Sequence, residues 1–132
     1  MSKLYTRSLF HYETDTDGVC HFSNYFRIAE EAFYDAFRDK FPHLAFAVVE
    51  SQAQYLRPLR FGSIFQVAIE KKERRRSNFE LLFTIQENKI PSAHIKLRFV
   101  SIEPKQWEVI ALPEQLKEEL ENYAPRPNFT YS

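Results

Sequence analysis

A run of acidic residues stands directly before a glycine and before the start of a helical pattern. Residues 12–25 read YETDTDGVCHFSNY, in which Glu13, Asp15 and Asp17 precede Gly18. The N-terminus of a helix presents unpaired N–H groups and partial positive charge, which can polarise a carbonyl group held beside it. A carboxylate base next to such a helix end suits the hydrolysis of an acyl compound. The segment is therefore a candidate catalytic site.

The same acids also have a purely structural interpretation. Acidic residues commonly precede helices because they stabilise the positive end of the helix dipole. Residue types alone favour this interpretation, so the choice between catalysis and helix stabilisation depends on the wider pattern of the segment.

The spacing within the segment resembles the signature of hotdog-fold acyl-CoA thioesterases of the 4-hydroxybenzoyl-CoA thioesterase family. That signature runs as an acid, a small residue, Asp, two residues, Gly, Val or Ile, four residues and then Asn-Tyr. Residues 13–25 match it without gaps, with Glu13 where the family often has Asp. A second segment, AQYLRPLRFGS over residues 53–63, resembles the family's pattern of Tyr, two residues and Pro, with Ser63 where an Asp is common.

The resemblance implies a thioesterase site built on the acidic loop. It places the catalytic carboxylate at Asp15, which would act as a general base toward water or as a nucleophile that forms a mixed anhydride. It assigns the polarisation of the thioester carbonyl to the backbone N–H of Phe22. The motif also places these residues against the substrate: Gly18, Val19, His21, Tyr25 and Phe26.

The resemblance further implies a thioester substrate carried on coenzyme A or on acyl carrier protein, with no separate cofactor because coenzyme A is part of the substrate. Basic side chains are the candidates for binding the CoA phosphates: Arg57, Arg74, Arg75 and Arg76. The basic run over residues 71–76 also has an ordinary interpretation as the solvated tip of a hairpin. Because the family's sites lie at a subunit interface, a homodimer or homotetramer is expected.

Two other functions fit a hotdog protein. An acyl-thioester hydratase or dehydratase would pair an acid with a histidine, and the helix predicted over residues 23–40 contains no histidine. A non-catalytic acyl-CoA-binding protein would bind CoA esters without turnover, which the acid at Asp15 counts against.

Cysteine and histidine suggest weaker alternatives. Cys20 and His21 are adjacent, and adjacent residues of an extended segment point to opposite sides, so they would not form a nucleophile–base pair. The chain has 4 histidines, scattered without the spacing of metal ligands, and no metal site is expected.

A long helix must position the acidic loop. Between residues 23 and 40, apolar residues recur at the i, i+3, i+4 and i+7 spacing of a helix face. These residues are Tyr25, Ile28, Ala29, Ala32, Phe33, Ala36 and Phe37. A second, short helix is predicted from residue 113 to residue 123, after Pro113.

Apolar residues alternate with period two in the rest of the chain, which predicts strands. One strand covers residues 3–12, and four more have their apolar faces at residues 49–55, 65–69, 79–85 and 95–99. Short connections favour antiparallel pairing. The predicted class is therefore α+β, with an antiparallel five-stranded sheet wrapped around one long central helix, and the resemblance identifies this as the hotdog fold. One helix leaves an edge of the sheet uncovered, which predicts association through that edge.

The composition bounds the class of protein. A chain of 132 residues is one domain, over residues 1–132, with a tail from about residue 124. The 18 basic and 18 acidic residues balance, which argues against nucleic-acid binding. With 1 cysteine and no long apolar run, a soluble cytoplasmic protein without a membrane span is expected. The chain has only 2 glycines, Gly18 and Gly62, which we expect at special backbone positions.

Overall fold

A curled antiparallel sheet packs against one long helix in the computed structural model, which describes residues 4–125. The elements are β1 Tyr5–Ser8, a 3₁₀ turn His11–Glu13, α1 Asn24–Phe37, a 3₁₀ turn Arg38–Lys40, β2 Ala45–Tyr55, β3 Ile64–Arg74, β4 Asn78–Glu87, β5 Ile90–Glu103, β6 Glu108–Val109 and α2 Glu114–Glu121. The predicted α+β class is confirmed.

The strands follow one another in the order β1-β3-β4-β5-β2, and the short β6 pairs with β5. Every pairing is antiparallel. The long strands are those that the period-two pattern predicts, whereas β6 is a two-residue addition that was not predicted. Among the described residues β2 pairs only with β5, so its other side is an open edge of the sheet.

The core lies between the apolar face of α1 and the inner face of the sheet. Alternate residues of the central strands are buried: Phe65, Val67, Phe79, Leu81, Phe83, Ile85, Ile95, Leu97 and Phe99. Phe33 of α1 stacks on Phe99 with ring centroids 4.1 Å apart and on Phe37 at 4.8 Å. The predicted faces of α1 and of β3, β4 and β5 are therefore confirmed as the two halves of one core. The predicted face of β2 at residues 49–55 is mostly exposed instead, because β2 lies at the edge of the sheet.

The helices are slightly shorter than the apolar pattern predicts. α1 ends at Phe37 because residues 38–40 tighten into a 3₁₀ turn, and α2 covers Glu114–Glu121. Neither helix in the described part of the chain is long and apolar enough to cross a membrane. Most of the predicted tail lies outside the described residues.

The first strand is also shorter than predicted. It pairs with β3 only from Tyr5 to Ser8, and the chain then turns through residues 11–13. The turn follows from burial of a charge, because the carboxylate of Glu13 folds back to accept the Phe10 amide.

Both glycines occupy left-handed backbone, as expected. Gly18 has φ +78° and Gly62 has φ +83°. Asn88 and Lys89 also have positive φ, 53° and 66°, and connect β4 to β5 as a two-residue turn. The composition did not predict this turn, because neither of its residues is glycine.

Candidate active site

The acidic loop folds back along the segment that leads into α1. Thr14 and Cys20 form an antiparallel bridge. The Asp15 amide donates to the Val19 carbonyl oxygen at 2.8 Å, and the Gly18 amide donates to the Asp15 carbonyl oxygen at 3.1 Å. Gly18 completes the reversal with its positive φ. The loop thus places Asp15 beside the chain that enters the helix.

The connection between β2 and β3 supports this loop from its other side. Val19 bridges Arg60, and the Cys20 amide donates to the Leu59 carbonyl oxygen at 2.7 Å. The second motif, over residues 53–63, therefore contributes backbone that holds the acidic loop in place.

Asp15 is exposed, and its two carboxylate oxygens differ in their contacts. Oδ1 accepts the Asp17 amide at 2.8 Å and the Val19 amide at 3.4 Å. Among residues 4–125, Oδ2 has no hydrogen-bond partner. One oxygen is therefore held by the backbone while the other is available to a water molecule or to a substrate.

The amides at the start of α1 are satisfied locally, with one exception. Ser23 donates to His21 Nδ1 at 3.3 Å, Asn24 to the His21 carbonyl oxygen at 2.9 Å, and Tyr25 to the Phe22 carbonyl oxygen at 3.3 Å. Within the described residues, the Phe22 N–H has no partner. It is the donor of this helix start that a carbonyl oxygen could meet.

His21 is exposed and is held by the helix start. Its Nδ1 accepts the Ser23 amide and lies 2.8 Å from the Ser23 hydroxyl oxygen. Because a backbone amide can only donate, the neutral ring carries its proton on Nε2. The ring lies against Phe22, with centroids 4.6 Å apart.

A cavity of about 360 Å³ opens beside the helix start. Its lining residues are Cys20, Phe22, Tyr25, Tyr55, Leu56, Arg57 and Pro58. The Tyr25 and Tyr55 ring centroids are 5.3 Å apart. The fold therefore brings two predicted substrate residues, Phe22 and Tyr25, together with Arg57. Phe26 instead packs against the core.

The predicted arginine cluster lies elsewhere. Arg74 is the last residue of β3, and Arg75 and Arg76 lie in its connection to β4. The acidic loop lies near Gly62, before the other end of β3. The 11 residues of β3 span roughly 33 Å at ~3.3 Å per residue. One chain does not bring this cluster together with Asp15, so a role in binding CoA phosphates stays a prediction that requires a second copy.

Cys20 is buried, and burial is the main cause that raises the pKa of its thiol to about 11. The thiol is therefore protonated near neutral pH, which is unfavourable for a nucleophile. In the part of the chain that the structure describes, no group of three or more His, Cys, Asp or Glu side chains is arranged to hold a metal ion.

Sequence reasoning missed the environment of Glu13. Its carboxylate is 0% exposed and forms an ion pair with Arg7. Burial by itself would raise the pKa of Glu13, but hydrogen bonds from Arg7 and from the Phe10 amide, together with the Arg7 charge, hold it below its usual value. The signal in the sequence was Arg7 itself, a basic residue in the middle of the first predicted strand.

Comparisons with known proteins agree with this geometry. The sequence profile of the thioesterase superfamily matches residues 17–91. A 1,4-dihydroxy-2-naphthoyl-CoA hydrolase of Microcystis aeruginosa is 29% identical over 124 residues, which cover 86% of this chain and 88% of the relative.

Two solved structures share the fold. A protein of Aquifex aeolicus superposes with a TM-score of 0.81 at 24% identity, covering 90% of this chain and 99% of its own. A Staphylococcus aureus protein in complex with CoA has a TM-score of 0.80 at 17% identity, covering 98% of this chain and 90% of its own.

The matched profile spans more than half of the chain, from Asp17 into β5. It confirms the family-level resemblance that the acidic loop indicates. The chain therefore belongs to the thioesterase superfamily, and it is a thioester hydrolase with the hotdog fold.

Proposed function

We propose that the chain hydrolyses an acyl-CoA thioester to the free acid and coenzyme A, with Asp15 as the catalytic carboxylate and the Phe22 N–H as the carbonyl-polarising donor. The observation that carries this proposal is the acidic loop itself. The loop carries a carboxylate with one oxygen available, and it leads into a helix start whose Phe22 amide has no partner among the described residues.

The proposed chemistry divides between these two groups. The thioester carbonyl oxygen accepts the Phe22 N–H, which stabilises the negative charge that develops during attack. One such donor contributes about 2.7–4 kcal/mol to the transition state in other hydrolases. Asp15 removes a proton from the attacking water, or it attacks the carbonyl carbon itself and forms an anhydride that water then hydrolyses. In both routes the carbon–sulfur bond breaks and coenzyme A leaves as the thiol.

The cavity beside the helix start is the proposed place for the acyl group. Phe22, Tyr25 and Tyr55 supply aromatic surface to its wall, and Arg57 supplies a charge. These walls support an aromatic acyl group, and the naphthoyl substrate named for the Microcystis aeruginosa relative points the same way. A short or medium alkyl chain would find the same apolar surface. The S. aureus neighbour is in complex with CoA, which supports CoA as the thiol carrier.

A homodimer or homotetramer is proposed for the assembly. β2 has one unpaired side and is exposed along most of its length. An open, long strand edge pairs readily with another strand. Pairing of two β2 strands would extend the sheet across both copies and cover this edge.

The test is a panel of acyl-CoA substrates with a free-thiol readout, applied to wild type, Asp15→Asn and Asp17→Asn. Asparagine keeps the shape of Asp15 and an oxygen that can accept the loop amides, but it loses the basic carboxylate. We expect wild type to hydrolyse at least one acyl class and Asp15→Asn to lose about 10²-fold or more of kcat.

Asp17→Asn is the matched control. The contact of Asp17 within the loop is made by its backbone amide, so this variant should keep most of its activity. Undiminished turnover by Asp15→Asn would contradict the proposal, and a larger loss in Asp17→Asn would move the catalytic role to that residue. Saturable binding without thiol release would indicate a binding protein instead.

A further inference from the structure

A buried ion pair joins β1 to the acidic loop. Arg7 donates from Nη1 to Glu13 Oε1 at 2.8 Å and from Nη2 to Glu13 Oε2 at 2.7 Å. The Arg7 side chain is 13% exposed and that of Glu13 is 0% exposed. The Phe10 amide adds a third donor to Glu13, at 2.9 Å. The carboxylate is therefore held at both oxygens in a single orientation.

Two further donors of Arg7 are also engaged. Nε donates to Glu31 Oε1 on α1 at 2.9 Å, and Nη1 donates to the Ser8 carbonyl oxygen at 2.9 Å. Tyr5 donates to the same oxygen of Glu31 at 3.2 Å. Contacts with β1 and α1 therefore hold the Arg7 side chain in place independently of its contact with Glu13.

The backbone of Glu13 connects this ion pair to the start of α1. Its carbonyl oxygen accepts the His21 amide at 2.9 Å and the Asn24 side-chain amide at 2.9 Å. Glu13 lies two positions before Asp15, and His21 lies one position before Phe22. A single residue therefore fixes both chain segments that carry the proposed catalytic groups.

We propose that Arg7 is a positioning residue for thioester hydrolysis, and that its two-point contact with Glu13 sets the separation between the Asp15 carboxylate and the Phe22 amide. This inference rests on the proposed function, in which those two groups act on the thioester. Arg7 itself touches neither group and has no contact with the proposed acyl cavity.

The geometry of arginine is essential to this role. A guanidinium binds a carboxylate through two parallel N–H groups and fixes its orientation, whereas a lysine ammonium is a point charge on a flexible chain. Arg7→Lys preserves the charge but loses the second contact. A displacement of about 1 Å between reacting groups can cost about 10²-fold in rate.

The test compares kcat and KM of wild type, Arg7→Lys and Glu31→Gln on an acyl-CoA that wild type hydrolyses. For folded Arg7→Lys we expect kcat to fall by about 10-fold or more while KM changes less than about 3-fold, because transition-state alignment is lost and ground-state binding is retained. Glu31→Gln removes the other negative charge on Arg7 but keeps a side-chain oxygen that can accept the Arg7 Nε–H, so Arg7 stays in place and kcat should stay within about 2-fold of wild type.

Folding is measured separately, so that activity refers to folded protein. Circular dichroism and thermal unfolding set an assay temperature below the onset of unfolding. If Arg7→Lys does not fold, the double variant Arg7→Met with Glu13→Gln is used instead. It replaces both buried charges with neutral side chains of similar shape, and burying these costs less free energy than burying one unpaired charge. We expect the same loss of kcat in this variant.

Wild-type kcat in folded Arg7→Lys, or in the folded double variant, would overturn the role of Arg7. The proposed function fails in a different way, through an inactive wild type or an active Asp15→Asn. If wild type is active and Asp15→Asn is not, a fully active Arg7→Lys refutes the positioning role alone.

Discussion

Gly18 turns the acidic loop, and its amide donates to the Asp15 carbonyl oxygen. Its φ of +78° lies in the region that L-residues adopt at a cost. A methyl group added there would meet no heavy atom within 4 Å. Backbone conformation, and not packing within the chain, therefore requires glycine at this position, and the space beside it is open.

Gly18→Ala and Gly62→Ala form a matched pair of variants that tests whether the open space beside Gly18 belongs to the substrate site. Gly62 has a similar φ of +83° and also no neighbour within 4 Å of the added methyl. Each variant should lose about 1–2 kcal/mol of unfolding free energy from the backbone strain, measured by urea unfolding. If Gly18 lines the substrate site, only Gly18→Ala should also lower kcat/KM in the thiol-release assay. Equal effects of both variants on kcat/KM would contradict a substrate contact at Gly18.

The placement of candidate site residues could be predicted where it depends on neighbours along the chain. The loop places Asp15 beside the segment that carries Phe22, as a local turn would. Arg7 was missed because its contact with Glu13 forms only when the chain turns back after β1. The arginines at residues 74–76 stand apart from Asp15 because a long strand separates them, which a motif does not reveal.

The β4–β5 hairpin is the element whose local sequence fits its backbone least well. Asn88 and Lys89 both have positive φ, the requirement of a type I′ turn. Asparagine tolerates this conformation, but lysine does so at a cost. The strands on either side are rich in buried apolar residues, so tertiary packing outweighs the unfavourable turn.

Lys89→Gly should therefore stabilise the protein. Relief of the strained φ outweighs the extra chain entropy of glycine, for a net gain of about 0.5–1 kcal/mol. Urea unfolding would measure this gain. Lys105→Gly is the control, because Lys105 lies in a turn but does not itself have positive φ, and it should show no gain. An unstable Lys89→Gly would contradict the strain argument.

Elements with a strong apolar period were the most predictable. The α1 face around Phe33 and the β4 face around Phe83 are buried as their spacing predicts. Boundaries were less predictable, because β1 stops where the Glu13 side chain binds the Phe10 amide. Side-chain charge and not apolar periodicity ends that strand.

The open edge of β2 is the proposed place of association between copies of the chain. Val49 lies at an irregularity in the pairing of β2 with β5 and is 53% exposed. Wild type is expected to sediment as a dimer or tetramer in analytical ultracentrifugation. Val49→Lys places a charge on the open edge, which natural sheets use to prevent strand pairing. This variant should shift the protein toward monomer.

Val109→Lys is the matched control for the edge. Val109 is 56% exposed on β6, which pairs with β5 on the side opposite β2 because Ile102 of β5 pairs with both Ala45 and Val109. Its association state should equal that of wild type. Dissociation by Val109→Lys, with an intact Val49→Lys assembly, would place the interface elsewhere.

The architecture as a whole was predictable from one helix and a series of alternating strands. Their apolar faces have a single economical arrangement, in which the sheet covers the helix. The order β1-β3-β4-β5-β2 was not predictable in the same way. It separates β2 from β3, which follow one another along the chain, and alternation alone does not say which strands become edges.

The Arg7–Glu13 pair also has a consequence for the evolutionary drift of the chain. Removing one partner of a buried ion pair leaves an unpaired charge, at a cost of about 3–5 kcal/mol. That is a large share of the ~5–15 kcal/mol by which a domain is stable. Replacement of Arg7 by an uncharged residue, or removal of the Glu13 charge alone, therefore leads through a less stable intermediate. Descendants of this chain should keep the two charges or lose them as one unit.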